Sequence, residues 1–253
     1  MNYQNPEKVL IIIPARIKSK RFPCKVLADI NGLPMIVHTA IRAREANIGR
    51  VIVAVDHEET RDFISRAGFE SAMTRTDHKS GSDRIFEALN LVDKALEATI
   101  IVNIQGDLPT IEPEAIAASL IPLRNPHVDI GTIAINIPDD EDTHDPNIVK
   151  IIATPSENGC LKSLYFTRSK APYGAGPFYR HLGIYAYRRK ALERFSQLSP
   201  SVLEKRESLE QLRALENGMR IDVKVIYSNS VSVDVQDDLE KARILLDNPL
   251  SIR

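Results

Sequence analysis

Only two cysteines, Cys24 and Cys160, occur in the 253 residues, too few for a disulfide framework and not spaced as paired metal ligands. That usage points to a reducing, cytoplasmic setting. The six histidines show neither HxxxH nor HExxH spacing, which excludes the common zinc motifs. Long apolar runs are missing as well. VLIII (9–13) is five residues long, too short for a signal-peptide core and far below the roughly 18 residues of a membrane span. Nor is there an excess of one charge: 33 Lys plus Arg stand against 34 Asp plus Glu, with a pI of 6.6. A near-neutral chain lacks the broad basic field of a nucleic-acid coat. Neither a nucleic acid nor a membrane is an expected partner. Finally, GxxxxGK[ST] and GxGxxG are both absent, so the common phosphate and dinucleotide loops are excluded.

What is present is a local concentration of cations. The stretch IIIPARIKSKRFPCK (11–25) carries Arg16, Lys18, Lys20, Arg21 and Lys25 within ten residues, directly after an apolar run. Arginine grips phosphate oxygens as a bidentate fork and lysine as a point charge. On spacing alone, a polyphosphate cradle and a solvated loop are equally good readings.

Apolar runs alternate with amphipathic segments through the first half. VLIII (9–13), VIVAV (51–55) and TIIVNI (99–104) read as buried strands because they are continuous and β-branched. Pro34 opens a helix with Ile36, Val37, Ala40 and Ile41 on one face. Phe63, Ile64 and Ala67 mark a second, and Ser82 is the expected N-cap of a third, which carries Ile85, Leu89, Val92 and Leu96. Pro113 opens a fourth. The alternation predicts an α/β fold, with a mixed, mostly parallel sheet and helices on both faces. In the second half IVKIIA (148–153), LKSLYF (161–166) and HLGIYAY (181–187) follow closely and predict a smaller antiparallel excursion. A helix over 202–217, strands IDVKVIY (221–227) and VSVDV (231–235), and a helix over 237–247 complete the expectation. APYGAGPFYR (171–180) reads as a loop.

Ligands of parallel sheets collect beyond the carboxyl ends of the strands. The cation loop lies at one such end, and QGDLP (105–109) at another. Asp107 there, in a tight Gly106 turn, suits Mg²⁺, which binds through one or two carboxylates plus phosphate oxygens; a turn aspartate bonded to its own backbone is the plain alternative. Asp234 repeats the pattern after VSV, while Asp237 is placed to cap the last helix. Two strand-end acids and a cationic loop predict metal-assisted chemistry on a nucleoside triphosphate.

These stretches, in order, carry a resemblance over nearly the whole length. IIPARIKSKRFPCKVLADINGLPMIVH (12–38), TRTDHKSGSDRI (74–85), VNIQGDLP (102–109), YFTRSKAPY (165–173), RHLGIYAYRR (180–189) and VDVQDDLEKAR (233–243) are similar to blocks of the 3-deoxy-manno-octulosonate (Kdo) cytidylyltransferases. The resemblance implies a Rossmann-like nucleotidyltransferase fold in one domain, 1–253, with roughly 155–225 as a sugar-binding and dimerisation excursion. It implies transfer of CMP from CTP to the anomeric hydroxyl of Kdo with Mg²⁺, in the cytoplasm, by a homodimer serving lipopolysaccharide biosynthesis. By the same resemblance Ala15, Arg16, Arg21 and Lys25 match the triphosphate loop, with Arg16 and Lys25 catalytic. Arg75, Ser80 and Gly81 match nucleotide positions. Asp107 and Asp234 match the metal carboxylates, also catalytic. Gln105, Arg168, His181, Tyr185, Glu210 and Gln211 match the sugar-acid pocket.

CMP-sialic acid synthetases share the reaction, but their loop usually ends Lys-Asn and lacks QGD, whereas Lys25 precedes Val26 here. A binding protein that had lost turnover would be expected to lack a metal carboxylate or the loop lysine, and Asp107, Asp234 and Lys25 are all present. Three positions depart from the Kdo pattern. Cys24 stands where glycine is usual, which costs about 1 kcal/mol if the backbone there needs φ > 0. Leu108 replaces the Glu of QGDEP, and VDVQDD replaces VDTPED.

Overall fold

The computed structural model describes residues 9–18, 22–137 and 143–247. They fall into two compact units, divided after Ala117 and again after Tyr227.

The first unit opens with β1 (Val9–Ala15). Ile11, Ile12 and Ile13 are fully buried, and each takes out of water apolar area worth about 2 kcal/mol. A 3-10 turn (Lys25–Leu27) leads to the short hairpin β2 (Asp29–Ile30) and β3 (Leu33–Pro34). Asn31 and Gly32 both have positive φ, as a two-residue Asn-Gly hairpin requires. Next come α1 (Met35–Glu45), β4 (Arg50–Val55), α2 (Glu58–Arg66), β5 (Glu70–Met73), α3 (Gly81–Val92), β6 (Ile100–Ile104) and α4 (Pro113–Ala118). Within this unit the strand order is β5-β4-β1-β6, every pair parallel. The carboxyl ends of β1, β4 and β6 therefore deliver residues 15–17, 56 and 105–107 to the same side.

The second unit holds β7 (Ile130–Asn136), β8 (Lys150–Pro155), β9 (Leu161–Thr167) and β10 (Tyr179–Arg188). After α5 (Arg189–Ser196), α6 (Val202–Glu207) and α7 (Leu212–Glu216) comes β11 (Ile221–Ile226). Its order is β10-β7-β11-β9-β8. Only β7–β11 is parallel; the other pairs are antiparallel. The chain then returns to the first unit and ends, among the described residues, with α8 (Gln236–Asp247).

Four local expectations are corrected. The cap of α3 is Ser80, not Ser82: Ser80 Oγ accepts the Asp83 N–H at 3.1 Å, and Ser82 is buried. The helix expected over 202–217 is two helices, because Ser208 turns left-handed at φ 55°. Leu209 and Leu212 are both buried just beyond the break, whereas no residue of α6 is buried. VSVDV is not a strand. Val231 N–H donates to Thr110 Oγ1 and Val233 N–H to the Asp107 carbonyl, which bonds the segment to the QGDLP turn. The carboxylate that caps α8 belongs to Asp238, which accepts the N–H groups of Asp234 and Val235 at 3.0 and 3.2 Å. Asp238 is the third helical residue, the reach-back position of a capping box; Asp237 lies one residue too early. β7, for its part, was not anticipated.

Candidate active site

Gly106 lets the turn after β6 approach β1: a Cβ there would lie 2.9 Å from the Pro14 carbonyl oxygen and 3.1 Å from Ile36 Cδ1. Asp107 leaves this turn partly exposed, and Leu108 beside it is buried, which suits leucine at that position. Val233 sits in an apolar cluster with Ile30, Met35, Leu239 and Ala242, and Asp234 follows it. Lys25 opens the 3-10 turn after Cys24, whose φ of 55° is left-handed. The Lys25 ammonium then reaches Asp107 Oδ2 at 2.7 Å, the Val233 carbonyl at 2.8 Å and Asp234 Oδ1 at 3.2 Å. Its side chain is 12% exposed, so these charge-assisted bonds are partly shielded from water.

Three oxygens thus converge on one cationic centre. They are all hard donors, two of them anionic, and the set fits a divalent cation of the Mg²⁺ type, with the ammonium of Lys25 now neutralising the same carboxylates.

Among the remaining nucleotide positions, Ala15 is buried at the end of β1 and Arg16, next to it, is exposed. Arg21 lies outside the described residues. Arg75 is exposed, with Nε 3.2 Å from Asp77 Oδ1 and its N–H donated to Glu87. Ser80 and Gly81 begin α3. Gln105, matched to the sugar pocket, belongs to this first unit, where its carboxamide lies beside Gly81 and donates to Asn103 Oδ1 at 3.2 Å. Two residues given no part by the sequence stand here as well. Arg84 donates to Asp56 Oδ2 at 2.9 Å, to Thr74 Oγ1 at 2.6 Å and to the Arg75 carbonyl at 3.1 Å. The signal was available: Arg84 shares a helix face with Ile85, Ala88 and Leu89, and a charge on an apolar face needs a partner.

In the second unit His181 and Tyr185 lie on β10 with ring centroids 5.2 Å apart, and Phe166 meets His181 edge-on at 5.1 Å. A bulge between Leu182 and Tyr185 shifts their register against β7. Burial pushes the His181 pKa down to about 3, so the ring is neutral at physiological pH. Thr132 donates its single hydroxyl proton to the Ile184 carbonyl at 2.6 Å. It therefore accepts from His181 Nε2 at 2.9 Å, which fixes the tautomer and leaves Nδ1 as the acceptor of the ring. Burial, then the charges of Tyr187 and Glu210, hold the Tyr185 hydroxyl protonated well above the ordinary tyrosine range. Glu210 accepts from Arg213 at 3.4 Å, and Gln211 is buried where α7 begins.

Arg168 is held through Glu207, a residue the sequence did not single out. Its N–H donates to Glu207 Oε2, Nε to the Glu207 carbonyl and Nη1 to the Pro146 carbonyl, all within 2.8–2.9 Å. The guanidinium is thereby oriented by backbone oxygens rather than left to swing.

The cytidylyltransferase family profile matches residues 10–221, which puts the chain among the nucleotidyltransferases. The chain is 61% identical over 246 residues to the 3-deoxy-manno-octulosonate cytidylyltransferase of Rhizobium johnstonii, covering 97% of this chain and 98% of that one. To the enzyme of the same name from Agrobacterium fabrum it is 54% identical with equal coverage. A solved CMP:2-keto-3-deoxy-manno-octonic acid synthetase complexed with CTP superposes with a TM-score of 0.86 at 38% identity, over 95% of this chain and 98% of its own. This chain belongs to the 3-deoxy-manno-octulosonate cytidylyltransferase family.

Proposed function

We propose that this protein transfers CMP from CTP to the anomeric hydroxyl of Kdo, giving CMP-Kdo and pyrophosphate. The observation that carries the reading is the meeting of Lys25 with Asp107 and Asp234, in a chain of this family, beyond the carboxyl end of β6. In this reading Arg16, Arg21 and Lys25 bind the triphosphate and stabilise the departing pyrophosphate, and Arg75, Ser80 and Gly81 hold the nucleotide. Asp107 and Asp234, with the Val233 carbonyl, are the residues that would hold Mg²⁺. The chemistry Mg²⁺ supplies when bound is charge neutralisation at the α-phosphate and a lower pKa for the attacking hydroxyl.

The sugar acid is taken by Gln105, Arg168, His181, Tyr185, Glu210 and Gln211. The Nη2 end of Arg168, which has no hydrogen-bond partner among the described residues, is the natural contact for the Kdo carboxylate. His181 Nδ1 accepts a sugar hydroxyl, Tyr185 can donate one bond, and Glu210 accepts. Holding the anomeric hydroxyl still converts the attack into an effectively unimolecular step. The reading extends to a cytoplasmic homodimer that activates Kdo for lipopolysaccharide biosynthesis. Among the described residues no helix is long and apolar enough to cross a membrane.

The test is pyrophosphate release from CTP and Mg²⁺ with Kdo, with N-acetylneuraminate and without sugar. Release with Kdo alone, lowered at least about 100-fold by Asp107→Ala, supports substrate, reaction and ligand together. Release with neuraminate moves the sugar assignment, and silence with both sugars overturns the reading.

A further inference from the structure

We infer that Asp56 and Arg84 are positioning residues for the nucleotide, their buried ion pair holding the start of the cation loop, at Arg16 and Ile17, and the 74–81 stretch in one fixed arrangement. The inference rests on CTP being the nucleotide, as proposed above, and goes beyond it in assigning residues that touch neither substrate.

The two side chains are 3% and 4% exposed, and their bonds reach outward to nucleotide-bearing segments. Asp56, just past the end of β4, gives Oδ2 to Arg84 at 2.9 Å and Oδ1 to the Ile17 N–H at 2.9 Å. Ile17 directly follows Arg16, so Asp56 fixes the entry of the cation loop, where the chain leaves β1. Arg84 Nη1 donates to Thr74 Oγ1 and to the carbonyl of Arg75. Thr74 is in turn tied to the Val55 carbonyl through both its N–H and its hydroxyl, at 2.8 and 2.9 Å. Arg84 also rides on α3, whose first turn presents Ser80 and Gly81. One guanidinium thus sets the mutual placement of the segments that carry Arg16, Arg75, Ser80 and Gly81.

Stability alone does not account for the pair. Two charges taken out of water recover the lost hydration only through good geometry, and apolar residues of similar size often serve as well or better. What apolar residues cannot supply is a planar fork with fixed angles between three acceptors. The lysine substitution fails in the same way, because an ammonium keeps the charge and loses the fork.

The experiment is calorimetric titration with CTP and Mg²⁺ in the absence of Kdo, alongside melting temperature and steady-state kinetics. The proteins are wild type, Arg84→Lys, and the paired variant Asp56→Leu/Arg84→Met. For Arg84→Lys the CTP Kd is expected to rise about tenfold or more, with the KM for Kdo at saturating CTP within about twofold of wild type. The paired variant is expected to melt at or above the wild-type temperature and yet lose CTP affinity to the same degree. That separation of stability from CTP affinity is what a merely structural pair would not show. Wild-type CTP affinity in the paired variant overturns the inference, as does a parallel loss of CTP and Kdo affinity with falling melting temperature. Wild-type protein that takes no CTP sinks the functional reading itself, before any variant is compared.

Discussion

Lys25 and Asp107, 82 positions apart in the chain, meet at 2.7 Å, and Asp234 Oδ1 lies 3.2 Å from the same ammonium. A lysine here has two tasks that cannot be performed at once: neutralising the paired carboxylates, and binding a phosphate. If the two carboxylates hold a divalent cation, as proposed, it would displace the Lys25 ammonium and leave it to the phosphates. Removing it by Lys25→Met is therefore expected to tighten Mn²⁺ binding to the nucleotide-free protein about tenfold, since a like charge leaves the site. Turnover is expected to fall roughly 10²–10³-fold, as when one preorganised group at a developing charge is lost. Electron paramagnetic resonance of free Mn²⁺ reads the first effect. An unchanged Mn²⁺ affinity would show that lysine and metal do not compete.

Gly106 is set by space rather than by dihedral angle. An added methyl would meet a backbone oxygen of β1 at 2.9 Å, and backbone cannot step aside as a side chain end can. Gly106→Ala is expected to destabilise the protein by about 1–3 kcal/mol through overpacking. It is also expected to weaken Mn²⁺ binding, because Asp107 moves with the turn. Urea midpoints and Mn²⁺ titration check both, and a variant with a normal metal affinity would uncouple Asp107 from the close approach.

How much of this was legible in the residues depends on what each signal consists of. β1, β4 and β6 were readable because their apolar runs are continuous, and Asp107 and Asp234 because a carboxylate just past such a run stands out. Their convergence on Lys25 was not, since they lie 82 and 209 positions from it, and the separation is closed by the fold, for Asp234 through the bonds of Val231 and Val233 to the QGDLP turn. VSVDV alternates like a strand, yet what its alternation records is Val233 entering a core cluster while Asp234 turns to the site. β7 was missed because Gly131 and Thr132 interrupt its apolar run. Glu207 looks like an ordinary surface charge until its partners are known, whereas Arg84 is marked in the sequence by the apolar helix face it shares with Ile85, Ala88 and Leu89.

His181 ties acid stability to the proposed sugar pocket. Its pKa is about 3 in the folded protein against about 6.5 in an unfolded chain. Between those values the unfolded state binds the extra proton, so stability falls as pH falls from 6.5, by at most about 1.4 kcal/mol per pH unit. Above 6.5 the contribution is fully present. His38, lowered chiefly by burial, acts with the same sign. His181→Asn should therefore unfold less steeply on acidification than wild type, the gap between the two narrowing from pH 7.5 to pH 5 in urea titrations. A constant gap would mean that His181 titrates normally in the folded state.

Cys24 turns the cation loop at φ 55° and ψ 25°, a left-handed conformation that brings a Cβ too close to the following carbonyl. That strain costs a non-glycine residue about 1–2 kcal/mol, while glycine at the same place adds about 0.4–1 kcal/mol of unfolded-state entropy to be lost on folding. The strain term is the larger, leaving Cys24→Gly neutral or more stable by up to about 1.6 kcal/mol, with the Lys25 turn intact and CTP turnover near wild type. Cys24→Val keeps the strain and adds a branch at Cβ, a combination rarely tolerated at positive φ, and should destabilise by about 1–2 kcal/mol. Chemical denaturation of the three proteins ranks them as glycine, cysteine, valine. The reverse order would mean that the thiol makes a contact in the loop worth more than the strain it imposes.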